Sequence, residues 1–136
     1  MSDSESAKAV LCEYYDALLK EDFDKLSSVC DDSLTVISLY GSTTVSGESN
    51  LIEMYKGIMD NFEAQGMSRR IGYDKDEFKT TDIQVNVKQI QTVLTKFNSD
   101  NTEAGTWNCT YILVKKDEKW LISLATSDNE QSTTIR

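Results

Sequence analysis

Few side chains of this sequence could do chemistry near neutral pH, because it contains no histidine. That absence removes the commonest metal ligand, the usual acid-base group and every serine or cysteine nucleophile that depends on an imidazole. Cys12, Cys30 and Cys109 are odd in number and lack metal-ligand spacing. We interpret them as reduced core residues rather than as a disulfide or a metal site. We predict no metal and no cofactor, so a reaction would have to use carboxylates, tyrosines, serines or lysines.

Tyrosines and one aromatic strand supply the best candidates for a site. Tyr14 and Tyr55 lie on the apolar stripes of two predicted helices. In the β-rich stretch 105–114, strand alternation places Trp107, Cys109 and Tyr111 on one face. The commoner role of an aromatic residue at such positions is to pack in a core or an interface, with its polar atom bonded at the edge. A ligand site therefore competes with a purely structural role at each position.

Hydrophobic spacing predicts two helices at the start of the chain. Residues 7–20 carry apolar side chains at helical spacing, and Ser4 is placed to cap the first turn. Asp22 is placed to cap a shorter helix over residues 23–30. The first of these helices would position Tyr14.

A third helix is predicted to open at Ser46 and to end at Gly66, which tolerates the left-handed backbone of a helix terminus. This helix would position Tyr55. Its apolar stripe is the clearest in the chain and consists of Leu51, Ile52, Tyr55, Ile58, Met59 and Phe62.

The remaining segments are rich in strand-forming residues. Both faces of the strand 105–114 carry apolar groups, because Ile112 and Val114 alternate with Trp107 and its neighbours. A charged turn at 115–119 makes this strand and the next one a hairpin. The boundary between the first two strands after Gly66 is left open. The predicted strands are 33–40, 43–46, 67–73 or 78–87, 89–97, 105–114 and 120–126.

Charge and length restrict the class of protein. With 14 basic and 23 acidic residues the net charge is -9, which argues against nucleic acid and anionic membranes, because phosphate binding needs clustered Lys and Arg. The N-terminus lacks the features of a signal peptide, and no stretch approaches the roughly 20 apolar residues of a membrane span. We expect a cytoplasmic protein. Its 136 residues, without a linker, predict one domain with flexible termini at 1–5 and 129–136.

Several short segments together resemble one family in order and spacing. Residues 14–18 and 21–26 resemble the first two helices of the nuclear transport factor 2-like superfamily, and residues 31–36 resemble its entry into strand one. Residues 47–55 resemble its third helix, and residues 119–122 its closing strand. The resemblance implies an α+β, cystatin-like cone, in which three N-terminal helices pack on a strongly curved, mixed, mainly antiparallel sheet. An apolar pocket at the open end of the cone is the usual form of a small-molecule site.

The ketosteroid isomerase and polyketide cyclase-like branch of that superfamily gives the sharpest comparison. Tyr14 matches the tyrosine of its first helix, and Tyr55 matches a supporting tyrosine of its third helix. The position of the general base is Ser38, while Cys109 and Thr110 stand where the acid partner is expected. An unassisted serine cannot abstract a proton from carbon. We therefore reject steroid isomerase activity and retain the pocket.

The first hypothesis is a pocket for a small hydrophobic or amphipathic molecule. One alternative is an enzyme of the cyclase or dehydratase type that uses a tyrosine as its acid. Another is a protein-association module that uses the outer face of the sheet. The predicted lining residues are Tyr14, Ser38, Tyr55, Trp107, Cys109 and Tyr111.

Two further expectations concern the surface. We predict a homodimer through the outer sheet face, because helices cover only one side of strands that are apolar on both. Arg69 and Arg70 form the only paired arginines. We interpret them as surface salt bridges, and the alternative is a contact with an anionic ligand or partner.

Overall fold

The computed structural model describes residues 2–38 and 41–129. In the described part three helices and seven strands follow one another along the chain. The helices are α1 (Asp3–Lys20), α2 (Phe23–Ser28) and α3 (Glu48–Ala64). The strands are β1 (Cys30–Ser38), β2 (Gly41–Ser46), β3 (Met67–Gly72), β4 (Lys79–Gln84), β5 (Val87–Asn98), β6 (Glu103–Lys116) and β7 (Lys119–Asn129).

Helix α1 begins earlier than the apolar spacing indicates. The side chain of Ser2 accepts a hydrogen bond from the backbone N–H of Glu5 at 3.1 Å, so Ser2 is the cap and the predicted cap, Ser4, lies inside the helix. Asp3 is held further by Lys115 Nζ at 3.2 Å. Within the predicted flexible segment 1–5, the chain is thus helical from Asp3. In the other predicted flexible segment, residues 130–136 lie outside the described residues.

The other helix ends follow from capping residues and glycines. Asp22 caps α2 by accepting from Lys25 N at 3.2 Å, as predicted, but the helix stops at Ser28 and Cys30 already starts β1. Helix α3 follows Gly47, whose φ of 87° suits glycine, so the predicted cap at Ser46 is wrong. Gly66 ends the helical segment at φ 82°, as predicted.

The strands form one strongly curved mixed sheet in the order β2-β1-β7-β6-β5-β3, with β4 paired to β5. Pairing is antiparallel except between β1 and β7, which are parallel. Three helices packed on such a sheet are the predicted α+β architecture. A short 3₁₀ helix at Lys75–Glu77, which the sequence did not predict, separates β3 from β4. Of the predicted strand 33–40, Leu39 and Tyr40 lie outside the described residues.

The core lies between the helices and the concave face of the sheet. Along β6 the burial alternates, so that Cys109, Tyr111 and Leu113 are buried while Ile112 and Val114 are half-buried on the opposite face. This is the predicted alternation. The helices contribute the other half of the core through Ala7, Leu11, Tyr14, Tyr15, Leu26, Leu51, Tyr55 and Met59.

No helix in the described ranges is long and apolar enough to cross a lipid bilayer.

Candidate functional site

A cavity of about 250 Å³ lies between α1, α3 and the concave face of β1, β3, β5, β6 and β7. Most of its wall is aliphatic or aromatic, because the stripes of both long helices face the sheet at this level. Wall residues that carry the discussion below are Tyr14, Tyr15, Ser38, Tyr55, Met59, Phe62, Met67, Leu94, Trp107, Cys109, Tyr111 and Ala125.

The structure brings all of the predicted lining residues together around this cavity. Helix α1 supplies Tyr14 and helix α3 supplies Tyr55, while Ser38 lies at the end of β1. Strand β6 presents the remaining three, Trp107, Cys109 and Tyr111, from one face. Their placement matches the sequence analysis, and their part in holding a ligand stays a prediction.

Two pairs of tyrosine hydroxyls are buried polar groups of the wall. Other polar side chains of the lining, which are half-buried or exposed, belong to Ser38, Asn61, Gln65, Thr126 and Ser127. The hydroxyls of Tyr14 and Tyr55 are 2.8 Å apart and share a hydrogen bond. The hydroxyl of Tyr15 donates to that of Tyr111 at 2.7 Å. The ring of Tyr14 packs edge-on against Tyr15, Tyr55 and Tyr111, with centroids 5.4, 5.9 and 5.6 Å away. Such contacts fix the hydroxyls in place.

Burial keeps these polar groups uncharged. Desolvation raises the pKa values of Tyr14, Tyr15, Tyr55 and Tyr111 well above the ordinary value for tyrosine. It also raises the pKa of the Cys109 thiol to about 11. All five groups are therefore protonated at neutral pH, and the tyrosines offer neutral hydroxyl donors.

Within residues 2–38 and 41–129, no charged side chain lines the cavity. A carboxylate with a raised pKa, the usual general base of an apolar site, is thus missing from this wall. The arrangement can bind and orient a mostly apolar molecule through hydroxyl hydrogen bonds.

Sequence reasoning missed several wall residues. Met59 and Phe62 belong to the stripe of α3 that was recognised as apolar but not assigned to a site. Tyr15 follows Tyr14 directly and is not among the predicted lining residues, yet its hydroxyl bonds to Tyr111 inside the cavity wall. The helical stripe is the signal that could have found all three, since its members face the same space as Tyr14 and Tyr55.

The paired arginines lie outside the cavity wall. Arg69 makes ion pairs with Glu21 at 2.8 Å and with Asp60 and Glu63 at 2.5 Å each. Arg70 stacks on the ring of Phe97, with its guanidinium carbon 3.9 Å from the ring centre. Arg69 thus forms surface salt bridges, as predicted, whereas Arg70 forms no ion pair within residues 2–38 and 41–129.

Residues 4–130 match the family model described as NTF2-like protein (DUF6841). The match covers nearly the whole sequence, and the chain belongs to this NTF2-like family. No curated protein matches the sequence.

Solved structures share the fold at low sequence identity. A protein of unknown function with a cystatin-like fold from Nostoc punctiforme superposes with a TM-score of 0.75 at 17% identity, covering 93% of this chain and 90% of its own. A ketosteroid isomerase-like protein from Erwinia carotovora atroseptica gives 0.68 at 13% identity, with 92% and 94% covered. An NTF2-like protein of unknown function from Shewanella oneidensis gives 0.69 at 16%, with 93% and 99% covered. At these identities the similarity establishes the fold alone.

Proposed function

We propose that this protein binds a small hydrophobic or amphipathic molecule in the cavity between its helices and its sheet. The observation that carries the proposal is an uncharged, mostly apolar wall around about 250 Å³ of space, with buried tyrosine hydroxyls among its polar groups. Ligand sites are typically apolar concavities with a few fixed polar groups. The aromatic rings would supply contact area, and the hydroxyls would orient a polar atom of the ligand.

The pair formed by Tyr14 and Tyr55 is the best candidate for that orienting role. Two hydroxyls that share one hydrogen bond use one of their two protons. The second proton can be donated to an oxygen of a bound molecule. Because both groups are buried, such a bond would be made without competition from water. Ser38, at the end of β1, would contribute a further hydroxyl to the wall.

Binding is better supported than catalysis by a tyrosine acid. The raised pKa values of Tyr14 and Tyr55 favour hydrogen-bond donation over proton release. The wall lacks a carboxylate among the described residues, and the family resemblance puts Ser38 at the position of the isomerase base. We therefore do not extend the activity named for the ketosteroid isomerase-like neighbour to this chain, and the cyclase or dehydratase alternative ranks second.

We also propose that two copies associate through the outer sheet face, which is the face opposite the helices. The register places Ile112 beside Leu124 on β7 and Gln89 on β5, and Ile37 of β1 lies on the same side. These residues are half-buried or exposed, with Ile37 exposed to 38%. A second copy would cover the apolar groups that the helices do not reach.

Filling the cavity tests the binding proposal. Ala125 lines the cavity and pairs across the sheet with Tyr111. In Ala125→Leu the added side chain would occupy ligand space, and we expect the fraction of protein that carries a bound compound to fall about tenfold, from the cost of overpacking. Mass spectrometry of the natively purified protein, followed by extraction of the released compound, measures that fraction.

The matched control is Ala64→Leu, the same change at an exposed position of α3 outside the cavity wall. It should leave the bound fraction unchanged. Equal occupancy in Ala125→Leu and wild type would place the compound elsewhere. A wild-type protein that carries no compound and takes up neither octanol nor octanoate would refute the proposal.

A further inference from the structure

A fully buried lysine lies beside the cavity. Lys96 of β5 has 0% of its surface exposed. Leu94, two positions earlier on the same face of the strand, lines the cavity, and so does Ile71, which pairs with Lys96 across β3 and β5. Lys96 is therefore on the concave face, at the end of the cavity close to the C-terminus of α3.

The contacts of Lys96 do not neutralise its charge. Its Nζ donates to the backbone oxygens of Ser68 and Arg70, both at the long distance of 3.4 Å, and lies 3.8 Å from the centre of the Phe62 ring. No carboxylate in the described ranges 2–38 and 41–129 forms an ion pair with it. Burial alone lowers its pKa to about 8. Unpaired buried lysines are rare, because desolvating a charge is costly.

The charged side chains on the neighbouring elements are already engaged. On α3, Glu63 and Asp60 pair with Arg69 of β3. Arg70, the other cation on β3, bonds to Asn101 at 2.5 Å and stacks on Phe97. The nearest acids of α3 are thus committed to another cation, and Lys96 retains capacity for an anion.

One aromatic ring connects Lys96 to the cavity. Phe62 contacts the ammonium group and is also part of the cavity wall, where its ring is 5.5 Å from that of Trp107. Phe62 is only half-buried, so a change of its rotamer can be accommodated towards solvent. Lys96 does not itself line the cavity, so its Nζ could reach a ligand only after such a change.

We infer that the ligand of this cavity carries a carboxylate, which pairs with Lys96 at the α3 end, while the rest of the molecule extends along the wall formed by Tyr14, Tyr55 and Trp107. The inference rests on the proposed function and makes it more specific. It explains why a cation is buried without a partner next to an otherwise uncharged wall. The competing structural explanation is that Lys96 complements the C-terminal end of α3, whose last turn has no basic residue.

Octanoate and octanol have the same alkyl chain but differ in charge. Comparing their affinities for the protein therefore distinguishes the two explanations. We expect wild-type protein to bind octanoate at least about tenfold more tightly than octanol, because only octanoate can form a charge-assisted hydrogen bond with Lys96. In Lys96→Met that preference should vanish through loss of octanoate affinity, with octanol affinity within about twofold of wild type. The control is Lys88→Met, which removes another buried lysine of β5 that is paired with Asp82. It should keep the preference.

Proton uptake by the wild-type protein provides a measurement that does not depend on a variant. Near pH 8 about half of the Lys96 amines are neutral. Pairing with a carboxylate would charge them, so calorimetry in buffers of different ionisation enthalpy should show uptake of up to about half a proton per octanoate and none per octanol.

The outcomes distinguish the two proposals. If octanol binds as tightly as octanoate, or if Lys96→Met keeps the preference, the carboxylate inference is overturned and the cavity remains a ligand site. If neither compound binds wild-type protein, both proposals fail together.

Discussion

Lys96 and the cavity tyrosines respond to the same desolvation in opposite directions. Burial disfavours the charged form, so it lowers the pKa of a lysine and raises that of a tyrosine. The pKa of Lys96 falls to about 8, while the pKa values of Tyr14 and Tyr55 rise well above their ordinary range. The tyrosine hydroxyls therefore stay neutral, whereas the Lys96 amine is still largely protonated at neutral pH and can pair with an anion.

The lowered pKa of Lys96 in the folded state predicts how the stability of the protein depends on pH. Between about pH 8 and 10.5 the unfolded state holds the Lys96 proton more tightly than the folded state, so the free energy of unfolding should rise with pH. From about pH 7 to pH 9.5 we expect wild type to gain about 2 kcal/mol relative to Lys96→Met. Urea titrations of both proteins at each pH measure the gain, and parallel curves would show that Lys96 titrates normally.

The burial of Lys96 also marks the limit of sequence reasoning at this scale. Alternation along β5 places it on the same face as Leu94, but a lysine in a strand ordinarily indicates a solvent-facing position. The groups that bury it are Phe62 and the carbonyl oxygens of Ser68 and Arg70. All of them are distant in sequence, so no local pattern could reveal the contact. Tyr14 and Tyr55, by contrast, were predictable because helical spacing alone directs them inward.

At the scale of elements, the outer sheet face is the surface whose partner the fold leaves open. Strands β1, β5, β6 and β7 bring threonine, valine, isoleucine and leucine side chains together on the side away from the helices. The sequence indicated this two-sided character through Ile112 and Val114.

Element ends were harder to predict: α1 starts with polar residues capped by Ser2, and the 3₁₀ helix Lys75–Glu77 has no apolar residue to mark it.

A charge placed on this face should separate the copies. Ile112 lies in the middle of the outer face, and Ile112→Lys would place an ammonium group within the contact, where desolvation is unfavourable. Light scattering coupled to size exclusion should give a dimer for wild type and the monomer mass of 15.3 kDa for the variant. Val85→Lys, at a turn position exposed to 87%, is the control and should remain dimeric. A wild-type mass of 15.3 kDa would exclude the dimer.

For the whole molecule, the curved sheet is what creates the site. Helices α1 and α3 cross its concave side without filling it, and the residual space collects side chains from both helices and from several strands. The resemblance of several segments to one superfamily made this architecture predictable, and membership of the NTF2-like family supports it. The size of the cavity was not predictable, since it depends on how side chains from distant elements meet.

Methyl NMR of the methionines tests the central claim, a ligand held inside the cavity, most directly. Met59 and Met67 line the cavity, whereas Met54 lies outside its wall, beside β2. On titration with octanol or octanoate we expect the methyl signals of Met59 and Met67 to shift saturably while that of Met54 stays in place. Unchanged signals from Met59 and Met67 at saturating probe, or a shift confined to Met54, would contradict binding in the cavity.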